Sequence, residues 1–382
     1  GDLEGAGGRV ISCPAAGTGE DDEEPYTVVL PTVCATNLEQ MNQIFQDAVT
    51  KFSLTSKENL AVIILNQDDE EEMYIVKILH LFEECENRRD LQSLYVLYNI
   101  MKNIVLLNDS KVFDFIMDKN NFLHVLGALE YDPFSPNGRL DHRAFLTSPN
   151  LLKEVVPLPS EEIQDRIHYS YRVQYLQEVV LARVLDDSTF ASLKAMLFMN
   201  NYEVLQMLSN ANEYLEAMFD GLLSVSEGRD RQRDLLNLLS ELYSMAVKNF
   251  APEERGKLFQ ALESLGLFQV FDRYICAKDL DLCMHCCLLL NKVLANDVSP
   301  VRAWITTQPD DKSLFRKLVD IANDDTAMER YGDMTSLYLA LFDALRMLVD
   351  VENMELTQKE LVLGMFYPDI LEAILQPVER AG

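Results

Sequence analysis

A chain of 382 residues exceeds the ~250–300 residues at which a single compact core stops growing, so it forms either two domains or one elongated body. Apolar residues make up 48% of it, which excludes global disorder. The net charge of −29, with 62 acidic residues against 33 basic ones, disfavours direct nucleic-acid binding and docking on an anionic membrane, which require clustered cations, and points to protein partners.

Cys13, Cys34, Cys85, Cys276, Cys283, Cys286 and Cys287 are odd in number and unevenly placed. They do not read as a secreted disulfide framework but as the thiols of a reducing compartment. No apolar run approaches the roughly 18 residues of a membrane span. The opening GDLEGAGG has neither the basic start nor the apolar middle of a signal peptide. The chain does not begin with Met and reads as a piece of a longer protein.

Along the chain, residues 1–25 hold the acidic run EDDEE and are expected to be disordered. PYTVVLPTV (25–33) is extended by its prolines. Asn37 is placed to cap NLEQMNQIFQDAVTKF, where Leu38, Met41, Ile44, Phe45, Ala48 and Val49 form one apolar face. Ser56 and Asn59 frame a short second helix, KENLAVIILN. EEMYIVKILHLFEECEN carries Ile75, Ile78, Leu79 and Phe82 on one side, and RRDLQSLYVLYNIMKNIVLLND follows with Leu91, Leu94, Tyr95, Tyr98, Met101, Ile104 and Val105. Further helices are expected over 188–208, 210–226, 229–249, 253–264, 280–296 and 327–350. Leu337, Tyr338, Leu341, Leu345 and Leu348 give the last of these its face, with Tyr331 and Met334 before them. Links such as SEGRD and LANDVSP are short, which implies antiparallel neighbours.

Helix pairs recurring roughly every forty residues are the period of HEAT and armadillo units. The fold class is therefore all-α: an armadillo/HEAT-like α-solenoid of antiparallel helix pairs, whose units bury their faces only against neighbours. The domain reading is an extended or disordered acidic segment over 1–36, one elongated helical-repeat domain over 37–377 and a tail over 378–382.

One segment breaks the pattern. After FLHVLGAL, residues 131–159 bring Pro133, Pro136, Pro149, Pro157, Pro159 and the turn signal Asn137-Gly138. A loop this long is usually functional or disordered. Its Tyr131, Phe134, Leu140, Phe145, Leu151, Leu152, Val155 and Val156 are apolar anchors that argue for an ordered excursion lying across the helices.

GALEYDPFSPNGRLDHRAFL, then LLKEVVPL, then IHYSYRVQYLQEVVLARV resemble the central domain of the SMEK (Falafel) family, the regulatory subunit 3 proteins of protein phosphatase 4. That family shows CLEYDP followed by a helix containing YRVQYIQDV; the matching residues are Leu129, Glu130, Tyr131, Asp132 and Pro133, then Tyr171, Arg172, Val173, Gln174, Tyr175, Gln177 and Val179. LFEECENRRDLQSLYVLYNIMKNIVLLND, FMNNYEVLQMLSN and LRMLVDVENM with FYPDILEAILQP extend the likeness over about 55–377. Residues 1–36 match nothing in the family. Its EVH1-type domain and charged tail have no counterpart in these residues.

The resemblance implies a non-catalytic helical scaffold in nucleus and cytoplasm, associated with DNA-damage recovery and cell-cycle control. It also implies partners: the phosphatase 4 catalytic subunit, which would bring the metals and the hydrolysis, regulatory subunit 2, and phosphoprotein clients. A transport-receptor-like solenoid holding basic peptides in an acidic groove is the alternative.

The residues themselves carry little chemistry. His80, His124, His142, His168 and His285 are spread singly, and HExxH, P-loop, GxSxG and GxGxxG are absent; neither catalytic nor cofactor-binding nor metal-ligating residues are assigned. LCMHCCLLL (282–290) puts Cys283, Cys286 and Cys287 on one helical face, where packing is preferred to a zinc site. The runs EDDEE and DDEEE read as solvated. Ser135-Pro136, Ser148-Pro149 and Ser299-Pro300 are common dipeptides. Two readings stay open for Tyr169, Tyr171 and Tyr175. They clamp the excursion, with Arg172 pairing Glu130 or Asp132, or they form a partner-binding ridge. Glu130, Tyr131, Asp132, Pro133, Tyr171, Arg172, Gln174 and Tyr175 are the candidate partner-binding or loop-clamping residues.

Overall fold

The computed structural model describes residues 9–13, 26–65, 73–135, 139–148, 153–276, 278–309, 313–323, 335–352, 354 and 356–367. Both acidic runs, Tyr331, Met334, Leu151 and Leu152 lie outside the described residues. The chain divides into two compact units, 1–153 with 165–200, and 154–164 with 201–382.

In the first unit, β1 (Arg9–Cys13) pairs antiparallel with β2 (Tyr26–Leu30), Arg9 opposite Leu30 and Cys13 opposite Tyr26. The sequence reading has β2 as extended but no element at β1. Among the described residues every other regular element is helical. After β2 the chain is pinned where the Tyr74 hydroxyl donates to the Pro31 carbonyl at 2.9 Å. Helix α1 (Leu38–Lys51) buries Leu38, Met41, Phe45 and Ala48 of the expected stripe, with Ile44 and Val49 half-buried. Its expected cap is not made: the Asn37 amide donates instead to the Thr32 carbonyl at 2.9 Å, so it closes the preceding turn. Helix α2 (Leu54–Leu65) begins two residues before Ser56, which is buried within it; Ser53 accepts from the Ser56 N–H at 3.3 Å.

The core of this unit is built by α3 (Tyr74–Arg88), α4 (Leu91–Val105), α5 (Ser110–Met117) and α6 (Phe122–Leu129). Helix α4 packs against α1, α3 and α6 and buries Leu94, Leu97, Tyr98, Met101 and Ile104. Asp90 and Asp109 cap α4 and α5 through their carboxylates. A short α7 (His142–Leu146) lies inside the excursion. Helix α8 (Glu161–Tyr175) ends in a π-turn over Leu176–Val180, closed by the Leu181 N–H on the Leu176 carbonyl at 3.0 Å. Helix α9 (Asp187–Asn210) then runs antiparallel to α8 over residues 187–200: the Asn200 amide donates to the Arg166 carbonyl at 2.7 Å, and Gln177 to the Phe190 carbonyl at 3.2 Å.

The second unit shows the repeat. Helices α10 (Asn212–Leu223), α11 (Arg229–Asn249) and α12 (Pro252–Leu265) are followed by α13 (Leu267–Tyr274), α14 (Leu280–Asn296) and α15 (Ser299–Ile305). Then come α16 (Leu314–Ala322), α17 (Thr335–Val349) and α18 over 356–367. Each long middle helix packs on the next, α11 on α14 and α14 on α17. Helices α11 and α14 run parallel, as Arg229 meets Asp279 and Ser240 meets Lys292. A short third helix gives each unit roughly fifty residues, where helix pairs would need roughly forty.

Two helix ends in this unit are sealed by arginines, one buried and one half-buried. Arg302 donates to the carbonyls of Leu348, Met347 and Asp350 at 3.0, 2.9 and 2.7 Å, closing α17. Arg273 does the same for α10 through Leu223 and Ser224, at 2.7 and 2.6 Å. Gly266 ends α12 at φ 119, a conformation that glycine adopts without a Cβ penalty. Cys283, Cys286 and Cys287 are buried in α14, with the Cys283 and Cys287 sulfurs 3.9 Å apart. Burial pushes the Cys286 thiol well above its ordinary range, as befits a packing group.

Candidate functional site

The ordered excursion is organised by one carboxylate. Glu130 follows α6 and is 0% exposed, a position that costs several kcal/mol for a charge unless it is paired and hydrogen-bonded. Its Oε1 accepts from the Arg143 backbone N–H at 2.7 Å, at the first turn of α7. Its Oε2 accepts from the Arg143 guanidinium at 2.8 and 3.0 Å and from Arg139 at 3.0 and 3.1 Å. One side chain therefore caps α7 from outside the helix and neutralises two cations. The main chain closes the same loop, with the Leu140 N–H on the Glu130 carbonyl at 2.9 Å.

A second carboxylate completes the cluster. Glu86, near the end of α3, accepts from Arg143 Nη1 at 3.1 Å and from the Tyr131 hydroxyl at 2.9 Å. Burial works to raise the Glu86 carboxyl, but the hydrogen bonds from Arg143 and Tyr131 outweigh it and hold it below the usual carboxylate range. Burial, then the bond to Glu86, pushes the Tyr131 phenol up to about 12. Arg143 also lies over the Phe82 ring at 5.7 Å and Arg139 over the Tyr131 ring at 5.7 Å. The guanidinium can cross α6 this closely because residue 127 is glycine. A Cβ there would meet Arg143 Nη1 at 2.8 Å and Phe82 Cε1 at 2.9 Å.

Helix α7 is also held by α8. His142 is buried and its Nδ1 lies 3.0 Å from the Tyr175 hydroxyl, with the rings edge to face. Phe145 stacks on Tyr175 at 5.7 Å, and Tyr171 on Tyr175 at 6.1 Å. Burial pulls the His142 imidazole below its ordinary value, against the pull of Glu130 and Asp141. Before α7, Asp132 makes the turn: it accepts the Phe134 N–H on Oδ1 at 2.9 Å and the Ser135 N–H on its carbonyl at 3.0 Å. The Tyr98 phenol on α4 is pushed up to about 12 by burial first and then by the Asp132 carboxylate.

The candidate residues thus divide. Glu130, Tyr131, Asp132, Tyr171 and Tyr175 come together around the excursion. Pro133 is exposed at its turn, and Gln174 faces solvent from α8. Arg172 does not pair with Glu130 or Asp132. It lies over the Tyr169 ring at 6.0 Å and faces Asp118 and Asp165, because the excursion carries its own cations. The π-turn also takes Val179 off the tyrosine face, leaving it 53% exposed. Glu86, Gly127, Arg139, His142 and Arg143 were missed as site residues, and Phe145 was read only as an apolar anchor. The available signal was the i, i+4 spacing of Arg139 and Arg143 in a segment read only for its apolar anchors.

The chemistry of this cluster is that of a latch. Both carboxylates are taken up by guanidinium groups, leaving none free to ligate or to move a proton. Among the described residues no group of three or more His, Cys, Asp or Glu side chains converges as a metal site, and no helix is long and apolar enough to cross a membrane.

Comparison with known proteins places this arrangement. The model of the phosphatase 4 regulatory subunit 3 family matches residues 40–381. The Suppressor of Mek1 of Dictyostelium discoideum is 29% identical over 296 residues, 77% of this chain and 27% of that protein. The serine/threonine-protein phosphatase 4 regulatory subunit 3 of Drosophila melanogaster is 27% identical over 354 residues, 92% of this chain and 35% of that protein. The chain thus spans between a quarter and somewhat over a third of the length of these relatives, and with a family match running through the latch, both compact units and nearly every helix, it belongs to the phosphatase 4 regulatory subunit 3 family.

Proposed function

We propose that this chain is the helical-repeat part of a non-catalytic regulatory subunit of a protein phosphatase 4 complex. The observation that carries this reading is the family match over residues 40–381. A scaffold of stacked helices with a neutralised, fully paired ion cluster is suited to holding other proteins in place. The catalytic subunit supplies the hydrolysis; this chain, with regulatory subunit 2, assembles the complex and directs it to phosphoprotein clients. Nucleus and cytoplasm are the proposed locations, with DNA-damage recovery and cell-cycle control as the proposed settings. The latched excursion serves this role by giving the scaffold a surface outside the helical repeat, from which Phe134 projects 90% exposed.

The test is co-elution. The purified chain is mixed with the phosphatase 4 catalytic subunit, with and without regulatory subunit 2, and run on size exclusion. A stable complex is expected. Three components that elute separately at micromolar concentration would overturn the proposal for this part of the protein.

A further inference from the structure

Helix α9 is apolar on the side that faces solvent. Leu193 points into the first unit's core and is fully buried. On the outside, Phe190, Lys194 and Phe198 are spaced i, i+4, i+8 and form one ridge; Ala191, Ala195 and Met199 form the next. All six positions are exposed, with Phe190 at 45%, Phe198 at 46% and Met199 at 56%. A quarter of this chain is charged, yet this face of three turns holds one charged residue. A helix that is apolar all round is normally a buried helix, and a contiguous apolar face on a soluble surface marks an interaction site. The two alanines between bulky neighbours let a second helix approach closely.

The charge says what kind of helix. Lys194 has no acidic partner among the described residues, in a chain with nearly twice as many acids as bases. Pairing of this face with its own copy about a two-fold axis would bring Lys194, midway along its ridge, close to the second Lys194. Like charges at the centre of an apolar contact disfavour that arrangement. A different chain with a carboxylate at that point would be favoured for the same reason.

We propose that this face of α9 is a docking surface for an amphipathic helix of another subunit of the phosphatase complex, with a carboxylate opposite Lys194. The identification of the partner rests on the function proposed above; the surface itself rests on α9. The face lies on a rigid support, since the Asn200 amide ties α9 to α8 through the Arg166 carbonyl and the Ser170 hydroxyl at 2.7 and 2.8 Å.

The experiment uses the full chain and two probes, the phosphatase 4 catalytic subunit and regulatory subunit 2. Binding is measured for the unaltered chain, for the double variant Phe190→Asp with Phe198→Asp, and for Lys194→Glu. The expected result is a loss of at least tenfold in affinity for the double variant and a smaller loss for Lys194→Glu. The thermal unfolding midpoint should not move, because all three side chains are exposed. Equal binding by all three chains overturns the surface. So does a chain that is dimeric by light scattering when alone and becomes monomeric in the double variant, since its occupant is then a second copy. If the unaltered chain binds neither probe, the proposed function has failed and takes this partner with it, a result read before any variant is compared.

Discussion

Glu130 and Arg143 are joined twice, once through the Arg143 backbone N–H at 2.7 Å and once through its guanidinium at 2.8 Å. The first contact starts helix α7 and the second neutralises the carboxylate that starts it. Arg143→Ala keeps the N–H that starts α7 and removes only the guanidinium. It leaves Glu130 buried with Arg139 as its one cationic partner, and is expected to cost about 3–5 kcal/mol, measured by urea unfolding. Arg139→Ala, at a side chain 48% exposed, is expected to cost about 1 kcal/mol or less. Equal losses for the two would show that the number of cations, not the deeper seat of Arg143 between Glu130 and Glu86, sets the stability.

Gly127 gives a second, steric handle on the same pair. Gly127→Ala puts a methyl 2.8 Å from a guanidinium nitrogen that is itself held on Glu86, so the guanidinium cannot simply swing away. Overpacking of this kind is expected to destabilise by about 1–3 kcal/mol. Combined with Arg143→Ala, the alanine should cost much less, because the clash has gone. Additive losses in the double variant would mean that Phe82, not Arg143, is the obstructing group.

Much of the fold was legible because helical periodicity and burial report the same thing. Leu38, Met41, Phe45 and Ala48 of α1 and Leu337, Leu341, Leu345 and Leu348 of α17 are buried as their spacing implies, while Ile44, Val49 and Tyr338 at the edges of those faces are half-buried. Of the excursion's expected apolar anchors, Tyr131 and Val156 are buried, whereas Phe134 and Phe145 are exposed and Leu151 and Leu152 lie outside the described residues. Its latch was not legible, because Glu86 and Arg143 are 57 residues apart in the chain and no local pattern joins them. Arg172 was misassigned because Arg139 and Arg143, inside the excursion itself, were not weighed as the partners of Glu130. The π-turn at Leu176–Val180 has no mark in its composition either, and it rotated Val179 out of the tyrosine row.

The latch should also respond to pH, in two windows. Burial holds the folded His142 below the ordinary value of 6.5, so the unfolded chain takes up this proton first. Its contribution to stability is complete above about 6.5 and is lost as pH falls through the lower, folded value. The groups facing it, Glu130 and Asp141, reduce the shift without reversing it, and the Tyr175 hydroxyl is neutral throughout this range. Glu86, also held low, adds stability that is complete above about 4.5 and is lost in stronger acid. The urea midpoint is expected to drop between pH 7.5 and 5.5, with a shallower drop in His142→Gln. Parallel slopes for the two chains would remove His142 as the source.

Clamping and docking by the excursion can be separated through Tyr175 and Asp132. Tyr175→Ala removes the stack under Phe145 and the hydroxyl beside His142, and is expected to speed tryptic cleavage at Arg139 and Arg143 severalfold. Tyr175→Phe keeps the stack and should be cleaved more slowly than the alanine variant. Asp132→Ala releases the Phe134 turn while leaving Tyr175 in place. Both alanine variants are expected to weaken assembly with the phosphatase subunits. If cleavage accelerates while assembly is unchanged, the excursion is a structural strap and the docking surface lies elsewhere.

Arg302 offers a test in the second unit of whether a buried arginine is what ends α17. The residue is 1% exposed, and its guanidinium serves three main-chain carbonyls at the end of α17. Burial lowers its basicity, and Asp350 and Asp297 partly restore it. Alanine would leave those carbonyls without donors in a buried site, each costing about 1–3 kcal/mol unless water enters. Arg302→Ala is therefore expected to cost about 3–5 kcal/mol and to speed hydrogen exchange in α17 more than in α11. Arg302→Lys keeps the charge but cannot span carbonyls as a planar fork does, so it should recover under half of the loss. Full rescue by lysine would show that the helix end needs a positive charge and not the fork.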